Sequence, residues 1–252
     1  MHRVALVLGI FLLSTIGNVW AQETTLTVRA KANDAKYIGT AMAGVQVSVT
    51  HAFTHELLAQ GLITGGTGST KDLMENPIVR GQRLSTEGGA AFTTVLDIDA
   101  PTQLNIRLHG PLASGKTSVD ASQSVWMLPG KDIGGDGIVF NLYGFVLVPL
   151  SPHANTQVEV GEVVNLSTYV TMLCGCPITD GGMWDANSYQ VEAAIWDEEK
   201  LVETVTMQLG SENGIFNATY VPQHRGNYRI VFTAADIQTN NYGVAYSGIA
   251  VK

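Results

Sequence analysis

Apolar and polar residues alternate with a period of two along most of this chain. The pattern is plain in Thr25–Lys31, Gly44–Thr50, Ala90–Leu96 and Gln103–Leu108. Such alternation marks strands with one buried and one wet face. Ser124–Leu128 and the apolar run Gly137–Val148 extend the series. Pro149–Thr156 then carries two prolines, which cannot donate to a ladder, and predicts a linker. Beyond it the pattern restarts in Val163–Leu173, Tyr189–Trp196, Lys200–Leu209, Gly214–Val221, Gly226–Ala235 and Gly243–Lys252. The acidic run Asp197–Glu199 favours a hairpin over a helix. Short strands at this spacing, with no helices between them, predict an all-β chain of two antiparallel β-sandwiches in tandem. The boundaries read from the sequence are 22–150 and 151–252, with an insertion at about 51–83 in the first.

The first residues depart from this pattern. Arg3 precedes an apolar run, Val4–Leu13, and small residues lead to Val19-Trp20-Ala21. This is the layout of a secretory signal peptide, residues 1–21, cleaved after Ala21. The run is shorter than the roughly 20 residues of a membrane-spanning helix. The expected location is therefore the periplasm or the extracellular space, with no transmembrane segment in the mature chain.

The chain has 22 acidic against 14 basic residues, a net charge of −8. An acidic surface repels phosphate backbones and anionic lipid, which argues against nucleic-acid partners. An exported or cell-envelope protein is the expected partner.

Two stretches carry family resemblances. Ala41–Thr50 and Ser85–Leu96, within residues 24–110, resemble transthyretin-like or carboxypeptidase-regulatory-like modules. Tyr220–Asp236, with a Pro and a Gly before a Tyr-containing strand, resembles bacterial immunoglobulin-like domains. Both resemblances imply a sandwich fold and neither implies a specific role.

Several motifs mimic active sites. Gly110–Thr117 matches the phosphate-loop pattern, but the residues after it are rich in Ser and β-branched types and do not predict the helix that would hold phosphate. It reads as a polar hairpin loop, with no nucleotide. His51 and His55 stand four apart, with His109 or Glu56 as a third candidate zinc ligand. Asp132–Gly137 resembles the front of a calcium loop, yet Tyr143 occupies the position of the bidentate glutamate. An enzyme reading, a hydrolase with ligands in His51–Arg83, has no visible catalytic constellation behind it.

The remaining lead is Met172–Trp184, which holds both cysteines, Cys174 and Cys176, one glycine apart. Three readings stand side by side. The pair forms a local disulfide or redox couple, favoured outside the cytoplasm. Alternatively, Cys174, Cys176, Met172 and Met183 hold a soft ion, above all Cu(I). In the third reading both cysteines simply fill core. No catalytic residue is assigned, and copper is the cofactor that the sulfur pattern admits. The sequence therefore favours a non-enzymatic binding, scaffold or accessory subunit, with copper handling or thiol redox chemistry as the alternative.

Overall fold

The computed structural model describes residues 21–252, so the signal-peptide expectation lies outside the described residues save Ala21. The fold is all-β. Among the described residues no helix is long and apolar enough to cross a membrane.

The first half contains two sheets. β1 (Gln22–Ala32) is followed by the hairpin β2 (Val45–His51) and β3 (Leu57–Ile63). After a single helical turn, Lys71–Glu75, come β4 (Phe92–Ile98), β5 (Thr102–Gly110), β6 (Val119–Met127) and β7 (Ile133–Leu142). One sheet has the order β4-β1-β7 and the other β3-β2-β5-β6. The insertion expected over 51–83 thus contains a strand of the sheet itself, β3. Leu26, Val28 and Ala30 from one sheet, and Val47, Val49, Ile106 and Leu108 from the other, are fully buried. These are the alternate positions that the sequence marked as apolar, as a two-sheet core requires.

The second half begins earlier than Pro149. β8 (Phe145–Ser151), which the sequence reading placed in the first half, pairs antiparallel with β10 (Val164–Met172). The chain therefore passes from one half to the other at Tyr143-Gly144, inside an apolar run that reads as one strand. Pro149 lies on the edge strand β8, where a missing amide is tolerated, and the ladder shifts register opposite it, between Ser167 and Thr168. The short β9 (Thr156–Val158) follows, then β10, β11 (Gln190–Asp197), β12 (Lys200–Thr206), β13 (Gln208–Leu209), β14 (Ile215–Tyr220), β15 (Gly226–Asp236) and β16 (Asn241–Val251). One sheet has the order β13-β14-β10-β8 and the other β12-β11-β15-β16-β9. The expected hairpin is present, with Asp197 opposite Lys200 and Glu198 at φ 51° in the turn. The expected single strand Lys200–Leu209 changes sheets at buried Met207, whose amide bonds the Val191 carbonyl. Most pairings are antiparallel; β1–β7 and β9–β16 are parallel.

Buried residues of both halves form one continuous apolar cluster. Polar side chains reinforce the junction. Asn241, fully buried, donates to the Asn33 carbonyl and accepts from the Gly144 amide. Asn33 in turn donates to the Thr239 carbonyl at 2.7 Å and accepts from Asn141. A buried polar group is costly unless it is bonded, and these are bonded across the seam.

Candidate functional site

The alternation of β10 ends at Met172, and the strand does not continue to Cys176. The amide of Gly175 bonds the Met172 carbonyl at 2.8 Å, and the amide of Met172 bonds the Cys176 carbonyl. Thr171 stands opposite Pro177, and its hydroxyl donates to the Cys176 carbonyl at 2.8 Å. The chain therefore folds back in a tight turn. Cys174 and Cys176 are joined as a disulfide, with Cα atoms 5.3 Å apart. Both are buried, at 1% and 5% exposure.

Gly175 is required twice over at the tip of this turn. Its φ of 76° is a conformation that side-chain-bearing residues rarely adopt. A Cβ there would also lie 2.6 Å from the Met42 sulfur. Met42 comes from the first half, so the thioether that faces this turn is one the sequence reading missed. Nothing in "GTAMAG" marks that methionine as a partner of a loop some 130 positions away. Of the two methionines proposed as copper ligands, Met172 is fully buried and Met183 is 48% exposed. Met172 sulfur sits 4.0 Å from the Tyr189 hydroxyl. Burial, and then the carboxylates of Asp236, Asp34 and Asp185, push that phenol above its ordinary range, so it remains a neutral donor.

The rest of the loop docks on the first half. Trp184 is buried, and its indole Nε1 donates to the Asp34 carbonyl at 2.9 Å. Asp185 accepts from the amides of Gly181 and Asn187, and these bonds hold its carboxyl below the usual range. The sequence-singled stretch is thus a buttress between the halves, with the disulfide at its buried end.

The other motifs also resolve into local structure. His51 ends β2, and its Nδ1 accepts from the amides of Phe53 and Thr54, capping the β2–β3 turn. His109 faces Gln46 whereas His51 faces Leu104, which places them five positions apart along paired strands, roughly 17 Å. The two histidines therefore do not share a metal site. Gly110–Thr117 is a loop with a 3-10 turn followed by β6, not a helix start, and it lacks the helical amides that bind phosphate. Among the described residues no cluster of three or more His, Cys, Asp or Glu side chains is placed to hold a metal ion.

Asp132–Gly137 is a bulge within β7, since β1 pairs with Ile133 and next with Ile138. The bulge turns Asp136 toward the loop before β4, where its carboxylate accepts from the amides of Leu84 and Ser85 at 2.9 and 2.8 Å. Burial pushes this carboxyl up, but those bonds and the Arg29 charge outweigh it and hold it below the ordinary range. A carboxyl with a depressed folded value stabilises above its unfolded value and loses that contribution as pH falls through the folded one. Asp136→Asn should therefore be less stable than wild type at neutral pH, and the difference should shrink as pH falls below about 4. Denaturant midpoints of both proteins from pH 7 to pH 3 check this.

The disulfide should contribute modestly to stability, because it closes so short a loop. Loop-closure entropy for three residues gives about 1.6 kcal/mol. Cys176→Ser should lower the melting temperature by about 5 °C in a calorimetric scan.

No protein-family model matches this chain, and no curated protein matches it. Solved structures that this chain matches include fibronectin(III)-like modules of CbhA from Clostridium thermocellum, at 12% identity, covering 82% of this chain and 77% of that one, with a TM-score of 0.31. An ICAM-5 D1–D4 ectodomain fragment matches 92% of this chain and 50% of its own, at 13% identity and a TM-score of 0.27. An engineered protein aligns with 47% of this chain at 14% identity and a TM-score of 0.33, and the chain spans 22% of its length.

Proposed function

We propose that this protein is an exported, non-enzymatic β-sandwich module that binds another envelope or extracellular protein as a scaffold or accessory subunit. One observation carries the reading: the side chains that mimic active sites hold the protein's own loops. His51, Asp132 and Asp136 each accept hydrogen bonds from backbone amides. Groups committed in this way fix loop shape. The burial of both cysteine sulfurs supports a structural bridge over a redox couple, since exchange needs an attacking thiolate to reach sulfur.

Apolar surface supports the binding half of the reading. Tyr242, Val244 and Tyr246 stand on the outer face of β16, with Tyr246 65% exposed. Aromatic residues of this kind are enriched at interfaces. A photo-crosslinking residue placed at position 242, in protein exported by its own leader, should give one discrete adduct with an envelope or secreted protein. The exported chain should begin at Gln22. A diffuse ladder of adducts, or a chain retaining Met1 in the membrane fraction, would contradict the proposal.

A further inference from the structure

The sheet β3-β2-β5-β6 ends at β6, whose ladder with β5 runs from Val119 to Met127 without a register shift. Among the described residues no other strand or isolated bridge pairs with β6. The neighbouring strands show where its free backbone groups point. The Ala52 amide bonds the Gln103 carbonyl, so odd-numbered residues of β5 face β2 and even-numbered ones face β6. In an antiparallel ladder a residue's N–H and C=O point to the same side. Val119, Ala121, Gln123, Val125 and Met127, which stand opposite the even-numbered residues, are therefore the ones bonded to β5. Asp120, Ser122, Ser124 and Trp126 direct their N–H and C=O groups outward from the sheet.

Other edges of the sheets are protected. β3 and β4 are bridged at Thr64 and Ala91, β7 is bulged over Asp132–Gly137, and β8 carries Pro149. β12 shifts register against β11 and follows Glu198 and Glu199. β6 has no proline, no lysine and no bulge, and such an edge is a template for another strand. Its one charged residue, Asp120, is paired with Arg107 at 2.9 Å, so little of the chain's net charge of −8 is felt along this edge.

The sequence of β6 selects the occupant. Around Gln123 it reads alike in both directions: Ser122 and Ser124, Ala121 and Val125, Val119 and Met127. A two-fold axis at Gln123 sets the members of each pair opposite one another in a second, antiparallel copy. It also sets even-numbered residues against even-numbered residues, which an exchange of free N–H and C=O groups requires. An axis at Ser122 would oppose Ala121 to Gln123, and one at Ser124 would oppose Gln123 to Val125. The Gln123 axis places Trp126, 57% exposed, opposite Asp120 of the second copy, where an indole N–H meets a carboxylate. Val119, Ala121 and Val125 are half-buried against the core at this edge, and a paired strand covers them further.

From this geometry we infer that two copies of this chain pair through β6, antiparallel about Gln123, into one continuous sheet with four strands from each copy. The contact is isologous, so it closes at two copies and does not propagate. The inference goes beyond the binding reading above and does not depend on it, because β6 lies in the first half and position 242 on β16.

The test is sedimentation of the full mature protein, with two cysteine variants to fix the register. Wild type should form a concentration-dependent dimer below about 0.5 mM. Ser124→Pro removes one outward N–H on an edge strand, where proline is tolerated. It should weaken the dimer at least tenfold and keep the melting temperature of the dilute protein. Gln123→Cys sets two thiols opposite each other across the axis, while the native cysteines remain bridged. Mild oxidation should join it into a covalent dimer in at least tenfold the yield of Ser122→Cys, whose thiols stand too far apart to bridge. A monomer at every concentration up to about 0.5 mM, equal yields from the two cysteine variants, or a Ser124→Pro dimer as tight as wild type would overturn the inference. Should Ser124→Pro fail to fold, the cysteine yields decide. A discrete adduct from position 242 beside a strictly monomeric protein leaves the binding function standing and removes the dimer.

Discussion

Trp184→Ala should lower the melting temperature by on the order of 10 °C. The indole is buried at 7% exposure, and its N–H meets the Asp34 carbonyl across the junction. Removing it deletes a large apolar surface, leaves a cavity, and orphans a carbonyl of the first half. Core Trp-to-Ala changes cost about 3–5 kcal/mol, and each kcal/mol moves a domain of this size by about 2–4 °C. Trp126→Ala is the control, since Trp126 is 57% exposed at the sheet edge strand β6. Its effect should stay within about 1 kcal/mol. Calorimetry on both variants separates a true junction from a tryptophan that merely fills a loop.

Arg29→Ala should cost about 3 kcal/mol. Arg29 is buried on β1, and its Nη1 donates to the carbonyls of Gly89 and Ala90. Its guanidinium lies 5.7 Å from the centre of the Tyr37 ring and within the field of Asp136. The charge therefore fastens the loop before β4 onto the sheet from below, while Asp136 grips Leu84 and Ser85 of the same loop. Charged hydrogen bonds are worth about 1.5–3 kcal/mol each, and their loss leaves two buried acceptors. Arg29→Lys should recover less than half of the loss, because an ammonium is more strongly hydrated and stacks poorly on Tyr37. Urea midpoints of the three proteins check the order wild type, Lys, Ala.

Much of the fold was legible because two-sheet cores impose a period of two. Leu26, Val28 and Ala30, or Ile230 and Phe232, declare their strands without help from the rest of the chain. The hairpin at Asp197–Lys200 was legible because charged residues cluster where the chain must leave the core. The passage between the halves was not. Gly137–Val148 reads as one apolar run, since β7 and β8 both lie against core, and only Asn141 and the Tyr143-Gly144 step break it. β3 escaped notice because "LLAQGLI" does not alternate, and β9 because three residues carry no period.

The candidate site divides along the same line. The proximity of Cys174 and Cys176 follows from one intervening glycine, and the turn was expected from Pro177 and the glycines after it. Met42 and Asp34 were invisible as partners. They reach the loop through tertiary packing between the halves, and each lies in a stretch whose local pattern serves another purpose. The phosphate-loop, calcium and histidine motifs illustrate the converse. Gly, Asp and His recur in them because they satisfy turns and bulges, the structural role they hold here.

The most direct measurement is the state of the two sulfurs in the folded protein. The Cys174–Cys176 bridge is a buried staple at the junction of the halves. Intact mass should show the loss of two hydrogens relative to the reduced chain. Glutathione at neutral pH should leave that mass unchanged in the native protein, and reduction should proceed only once denaturant opens the junction. Copper should co-purify at well below one ion per chain. Ready reduction of the native protein, or one equivalent of Cu(I) lost in both Cys174→Ser and Cys176→Ser, would contradict the account and return the loop to redox or copper chemistry.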